Sequence, residues 1–288
     1  MGAVSVGFVK QFGANIMHLV QQKGSRLRST VMNETGIVGE EAFFDQLGTK
    51  TATKKTTRNS DTPITAPDHA RRMVTLFDYE VATLHDKQDQ LKMLADPTSR
   101  YVQAGAYALG RAMDDEIIVA ASGTAKTGKT GATSTTLPSA QKVAHGSANL
   151  TIAKLLSAKE ILDAAETDPD EQRFCILEAS QVTDLLNTTE IKSADYNTVK
   201  ALAAGQLDTF LGFKFIRTQR LEGAGTSGDP RMVLCYLRTG IVLAIAQDIM
   251  TDVGVRRDKS LAKQVYLSLG VGATRMEEEQ VVQVACVE

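Results

Sequence analysis

One run of this chain matches a catalytic pattern in full. Gly123-Thr-Ala-Lys-Thr-Gly128-Lys129-Thr130 fits G-x-x-x-x-G-K-[ST]. In a phosphate-binding loop of that form, backbone N–H groups cradle phosphates, the Lys reaches the outer ones and the Thr holds magnesium. The geometry needs a strand before the loop and a helix after it. Both neighbours here are wrong. The preceding residues form a helical pattern that contains Asp114-Asp115-Glu116, and the following GATSTTLPSA has no helical pattern. No apolar strand ends in an Asp able to hold the metal, since Phe174 to Glu178 ends in Glu. A nucleotide hydrolase using Gly123 to Thr130 is kept only as the remote alternative.

The other reactive side chains form no constellation. His18, His69, His85 and His145 are scattered, and no Ser–His–Asp arrangement can be drawn from them. Asp114 and Asp115 are adjacent on a helix, so their carboxylates point in different directions and read as a solvated or ion-paired face. Glu277-Glu278-Glu279 reads as an exposed turn between strands. Cys175, Cys235 and Cys286 are far apart in sequence, each within an apolar run, and read as buried reduced thiols. N-x-[ST] at Asn33, Asn149 and Asn187 carries no weight without a signal peptide. The sequence therefore assigns no catalytic, metal-binding or cofactor-binding residue and no cofactor.

Stepping from these residues to the elements around them, a long helix dominates. Asp96-Pro97 is a strong start, because Asp accepts from the free N–H groups of the first turn and Pro suits the first helical position. Val102, Ala106, Leu109, Met113, Ile117 and Ala120 then recur at spacings of three or four, and Gly123 ends the run. About 26 residues give a rod of roughly 39 Å. Its single apolar stripe predicts that it lies on a sheet.

Before this helix the chain is polar. Residues 48–72 are rich in Thr, Lys and Arg, with Lys50, Lys54, Lys55, Arg58, Arg71 and Arg72 against Asp61 and Asp68. Dense Thr favours extended backbone, and Pro63 and Pro67 forbid a helix. The spacing predicts a long exposed β-hairpin turning at Asn59-Ser60-Asp61, with Met73 to Val81 returning as strand. Residues 8–23 carry Phe8, Phe12, Ile16, Leu19 and Val20 on one face of a short amphipathic helix, and residues 1–33 hold Lys10, Lys23, Arg26 and Arg28 without an acid. Two basic arms on a chain of net charge −2 imply local contact with something anionic. A small enzyme rarely carries so large an arm. A protein that reaches over its neighbours does.

Residues 123–150 read as a loop or twisted hairpin. Further on, Ile152 to Ala165, Ser180 to Asn187 and Asp195 to Ala204 read as helices. Phe174 to Leu177, Phe210 to Ile216, Met232 to Leu237, Val265 to Leu269 and Val281 to Val287 read as strands. The fold class is α+β, with helices flanking a mixed sheet. The 288 residues, 43% hydrophobic, suffice for a sizeable core. No run of about 18 apolar residues exists, so no membrane partner is expected. The N-terminus lacks a signal-peptide pattern, and Val6 stands where a myristoylation site needs Ser or Thr.

Taken in order, these parts resemble a major capsid protein of tailed bacteriophages with the Hong Kong 97-type capsid fold. DPTSRYVQAGAYALGRAMDDEIIVAASG is the most family-like phrase. Phe210-Leu-Gly-Phe-Lys-Phe-Ile216, Arg238-Thr-Gly-Ile-Val-Leu-Ala244 with Asp248, and Gly270-Val-Gly-Ala-Thr-Arg-Met276 are similar to further segments of that fold. The resemblance spans nearly the whole chain. It implies an N-terminal arm at 1–33, and an extended loop with its base at 34–85, the hairpin being about 46–75. It also implies a peripheral domain at 86–150 with spine helix 97–122, an axial domain at 151–255, and a return to the peripheral domain at 256–288. By resemblance, subunits form pentamers and hexamers that tile an icosahedral shell around double-stranded phage DNA, bound non-specifically on the inner face. The implied partners are other copies of the chain, a separate scaffolding protein, a portal and a decoration protein. The shell would be synthesised and assembled in the bacterial host cytoplasm. Lys50, Lys54 and Lys55 match, by position only, the loop lysine that some members cross-link to a neighbour, and no cross-link is predicted. Encapsulin-like compartments share the fold and remain the alternative.

Overall fold

The apolar stripe of the long helix finds the sheet it calls for. A computed structural model describes residues 21–86 except Ser60, Pro63 and Thr65, then residues 98–168, 170–187 and 209–288. Helix α1 runs Thr98–Ser122. Leu109, Met113, Ile117, Ile118 and Ala121 are buried, with Val102 and Ala106 packed at the margin. They lie on a four-stranded sheet of order β1-β12-β13-β4. Its strands are β1 (Met32–Thr35), β4 (Phe77–His85), β12 (Ile241–Arg256) and β13 (Ala262–Arg275). On β13, Val265, Leu267, Leu269 and Val271 alternate onto the helix face. Gly105 lets the two layers approach, because a Cβ there would sit 2.6 Å from Leu267 Cδ1.

A six-stranded sheet of order β7-β14-β11-β8-β10-β9 holds the second part of the core. Its strands are β7 (Lys142–Val143), β8 (Arg173–Leu177), β9 (Thr209–Phe210), β10 (Phe213–Arg217), β11 (Arg231–Leu237) and β14 (Val281–Cys286). The near-continuous apolar run of β8 is buried along its whole length, as expected for a strand covered on both faces. Helix α2 (Ile152–Ala164) packs on β14. It starts at Thr151, whose hydroxyl accepts from the Lys154 N–H at 3.3 Å. Helix α3 (Ala179–Asn187) follows β8 directly. The third sheet, β2-β3-β5-β6, joins β2 (Glu41–Leu47) and β3 (His69–Thr75) to β5 (Ala125–Thr127) and β6 (Thr133–Thr135).

Several expectations change. Phe210 to Ile216 is not one strand. Leu211 and Gly212 both take positive φ, 53° and 85°, and turn β9 back on β10 with Phe210 opposite Phe213. Two left-handed residues between short strands make the tight hairpin turn that matches strand twist. Met73 to Val81 is likewise two strands, β3 and β4, in different sheets. Val265 to Leu269 is the middle of the longer β13, and the preceding 16-residue β12 is not among the expected strands. The Gly/Ser/Thr-rich stretch after α1 is the β5–β6 hairpin. The predicted hairpin at 46–75 is laddered only at its root, where Glu41 to Leu47 pairs with Thr75 to His69. One further bond, Gly48 N–H to Asp68 O at 2.8 Å, closes it, and no strand continues into the described residues of the loop. The turn near Asn59 is present, with Asn59 at φ 58°. Most of the helix at 8–23, the Asp96-Pro97 start, the helix at 195–204 and His18 lie outside the described residues.

Candidate assembly surfaces

Two extended segments are fixed to the body by buried polar groups, and neither group was assigned a role from sequence. The first is Asp114. Expected on a solvated or ion-paired face, it is fully buried in the middle of α1. Its Oδ1 accepts from Ser25 Oγ at 2.5 Å, Arg26 N–H at 3.1 Å and Leu27 N–H at 3.1 Å. Oδ2 accepts from Arg26 N–H at 3.0 Å and from Gln22 Nε2. Several donors converging on one carboxylate satisfy its charge without a cation. Gly110, one turn earlier, makes the crossing possible. A Cβ there would lie 2.6 Å from Gly24 C and Ser25 N, so the chain passes directly over the helix backbone.

The rest of that segment is clipped on both sides. Arg111 Nη1 donates to Gln21 Oε1 at 3.1 Å and Gln22 O at 3.2 Å. Leu27 and Val31 are fully buried. Thr30 Oγ1 and the Tyr236 hydroxyl lie 2.6 Å apart inside the core, where burial pushes the tyrosine up from its ordinary pKa. Arg26 Nη1 reaches Arg217 O at 2.5 Å. Arg28 forks onto Asp248 at 2.7 and 3.1 Å, and this hydrogen bonding holds the Asp248 carboxyl below its ordinary pKa. The cations expected to meet an outside anion are therefore partly committed: Arg26 and Arg28 bind the chain itself.

The second anchor is at the root of the loop. Arg72 on β3 is buried, and its Nη2 donates to both carboxylate oxygens of Glu278 at 2.8 and 2.6 Å, while its Nε donates to Met276 O at 2.8 Å. Glu278 is thus not a solvated turn residue. Arg275, completely buried beside it, donates to Ala121 O at 3.0 Å and Gly123 O at 2.8 Å, capping the last carbonyls of α1. Burial pushes the Arg275 pKa down, and the Glu278 charge opposes that shift. Arg71, on the opposite face of β3, forks onto Asp45 at 2.5 and 3.2 Å and lies 5.5 Å above the Phe43 ring. Beyond the root, Lys50, Lys54, Lys55 and Arg58 are all exposed.

The phosphate-loop pattern lands in the wrong setting. Gly123 follows the end of α1, Ala125–Thr127 is β5 between β3 and β6, and Gly128 to Gly131 is the turn into β6. Gly128 N–H is spent on Arg71 O at 3.2 Å, and Gly131 N–H on Gly128 O at 3.2 Å. No helix follows the turn to aim N–H groups at a phosphate. Lys129 instead lines an open groove of about 650 Å³ with Asp45, His69, Arg71 and Thr127.

Asp115 does keep the expected partner type, Arg220. His85 stacks on Tyr101 with ring centres 4.3 Å apart, and His145 Nδ1 accepts from Ser147 N–H at 3.0 Å. All three cysteines are free and buried as expected, but Cys175 and Cys235, far apart in sequence, meet at 3.3 Å. Among the described residues no His, Cys, Asp and Glu cluster could hold a metal, and no helix is long and apolar enough to cross a membrane. The missed role of Asp114 had one legible signal: a glycine inside a long helix, four residues before an Asp on the same face.

The comparisons agree with this architecture. The chain is similar over 98% of its length to 93% of a capsid chain of Cyanophage P-SCSP1u, at 17% identity and TM-score 0.74. A structure from Mycobacterium phage Che8 matches at 15% identity and TM-score 0.70, covering 97% of each chain. The Cyanophage Pam1 capsid matches at 15% identity and TM-score 0.69, covering 99% of this chain and 98% of that one. No curated protein sequence matches. The sequence pattern described as phage capsid protein matches residues 4–288, and the chain belongs to that family.

Proposed function

We propose that this chain is the major structural subunit of the shell of a tailed phage, acting by self-assembly rather than catalysis. The observation that carries the reading is the loop between Gly48 and Asp68. Its described residues are exposed except for the half-buried Pro67, it is cationic, those residues form no ladder beyond its root, and it is held at that root by the buried Arg72–Glu278 pair. A segment with so little to bury on its own body gains order by lying on another copy. Single exposed ion pairs contribute only about 0–1 kcal/mol, so such a clasp acts through many copies at once.

On this reading residues 1–33 are the arm, 34–85 the loop and its base, and 86–150 with 256–288 the peripheral domain around α1. Residues 151–255 are the axial domain. Subunits associate as pentamers and hexamers that close by symmetry into an icosahedral shell. Double-stranded DNA lies against the inner face without sequence preference, through its phosphates. A scaffolding protein, a portal and a decoration protein are the further partners, and assembly takes place in the host cytoplasm. The family match over nearly the whole chain supports the phage shell over an encapsulin-like compartment.

Deleting residues 50–68 tests the carrying observation. The variant should keep a cooperative unfolding transition and a native circular-dichroism spectrum, yet give no closed shells in electron microscopy when scaffolding protein is supplied. Normal shells from the deletion would sink the clasp.

A further inference from the structure

The shell reading makes no use of the two thiols that meet inside the six-stranded sheet. Cys175 is the central residue of β8 and Cys235 lies within β11, the strand beside it. They face each other directly across the antiparallel ladder. Direct opposition sets their Cα atoms about 4.5–5.5 Å apart. That is inside the roughly 4.4–6.8 Å window a disulfide spans. Both side chains are fully buried free thiols, and their sulfurs are 3.3 Å apart. Small side-chain rotations would bring the sulfurs to a bond of about 2.0 Å without moving the strands.

Cys286 provides a contrast in the same sheet. It is also buried, on β14, but stands opposite Arg231, and its sulfur meets the Val284 carbonyl oxygen at 3.9 Å. Burial pushes its thiol pKa up to about 11.

We propose that Cys175 and Cys235 form a modification site at which a small-molecule disulfide oxidises the pair to an intramolecular cystine that staples β8 to β11. The exchange balances in two steps. A thiolate of the pair attacks one sulfur of the oxidant, releasing one small thiol and leaving a mixed disulfide. The second protein thiol, as thiolate, then attacks the protein sulfur of that mixed disulfide and releases the other small thiol. Two protein thiols are oxidised and one oxidant disulfide is reduced to two thiols. A mixed disulfide has no room in the closed sheet, and burial holds the Cys175 thiol well above its ordinary pKa. Oxidation therefore runs through local opening between β8 and β11, and is slow until the staple forms. Once formed, it ties residue 175 to residue 235 across the middle of the sheet.

The test treats the full-length protein with excess oxidised glutathione, then alkylates it in denaturant. Free thiols should fall from the three of the reduced chain to one, and the mass before alkylation should fall by about 2 Da, the two hydrogens removed. A non-reduced digest should yield one linked peptide pair, containing Cys175 and Cys235, that a reductant separates. The rate should rise in urea below the unfolding midpoint. Cys286→Ala should oxidise in the same way, and Cys235→Ala should give no internal link. Three thiols persisting even in urea would overturn the site. So would glutathione retained on a single cysteine, or a link made through Cys286. The wild-type peptide map stands independently of whether either variant folds.

Discussion

The segment crossing α1 and the loop beyond β3 are both extended chain with little apolar surface of their own, yet they behave differently. Residues 21–31 touch the body through a buried carboxylate, two buried aliphatics, several further hydrogen bonds and the Arg28–Asp248 ion pair, so every few residues are anchored. Residues 48–68 are rooted beside Arg72 with Glu278 and Arg71 with Asp45, and beyond that root their described residues are mostly exposed. The lesson is that order in such segments follows from what the body offers them. Where α1 presents Asp114 and a bare Gly110, the chain is fixed. Past its root the loop meets no such buried group among its described residues, and they stay mostly exposed.

Breaking the better-anchored side should have the largest effect. Asp114→Ala strands the backbone N–H groups of Arg26 and Leu27 in the interior. Bonds to a charged group are worth about 1.5–3 kcal/mol each, so the combined loss should be about 4 kcal/mol in chemical denaturation. Shell yield should fall with it. A loss under about 1 kcal/mol would mean that the crossing is held by Leu27 and Val31 instead. Next comes the loop root. Glu278→Ala leaves Arg72 and Arg275 buried without their shared carboxylate, at a cost of about 3 kcal/mol. The double replacement Arg72→Met with Glu278→Leu should cost clearly less than Glu278→Ala alone, because it removes a buried charge along with its partner. Equal losses would show that the pair acts only through packing.

What could be read from the sequence divides along the same line. The stripe on α1 and the buried run of β8 were legible because periodicity reports apolar burial directly. The loop was legible by its lack of anything to bury. The anchors were not. Asp114 and Glu278 look like ordinary surface acids, since a buried carboxylate is revealed only by the donors that fold brings to it from 87 to 206 residues away. Cys175 and Cys235 were rightly read as buried, but strand order alone made them neighbours. The phosphate-loop pattern shows the converse. Small polar residues satisfied a spacing, and the flanking elements, already wrong in sequence, turned out to be a helix end and a hairpin.

A third change sharpens the crossing itself. Gly110→Ala should be neutral or stabilising in a bare helix, where Ala is favoured by about 1 kcal/mol. Here the new methyl meets main-chain atoms of Gly24 and Ser25 that cannot rotate away, so a net loss of about 1–2 kcal/mol is expected from thermal or urea unfolding. A gain in stability would place the segment farther from α1 than these contacts do.

The smallest effect is at the exposed end of the crossing, where Arg28 holds Asp248. Hydrogen bonding to Arg28 depresses the Asp248 carboxyl below its ordinary value of 3.8 in the folded chain. A depressed folded pKa means that the unfolded chain binds the proton more readily. The pair's contribution is therefore complete above the unfolded value and is lost as pH falls through the folded one. Both side chains are well exposed, at 38% and 56%, so solvent screening keeps the contribution below about 1 kcal/mol. Comparing wild type with Asp248→Asn across pH 2 to 6 isolates it. The two stability curves should be separated at pH 6 and converge toward the acid end, and 1 M salt should shrink the separation. Parallel curves would mean that the ion pair adds nothing to holding the segment. Its fixation would then rest entirely on Asp114 and the buried aliphatics, making the contrast with the singly rooted loop one of burial rather than of charge.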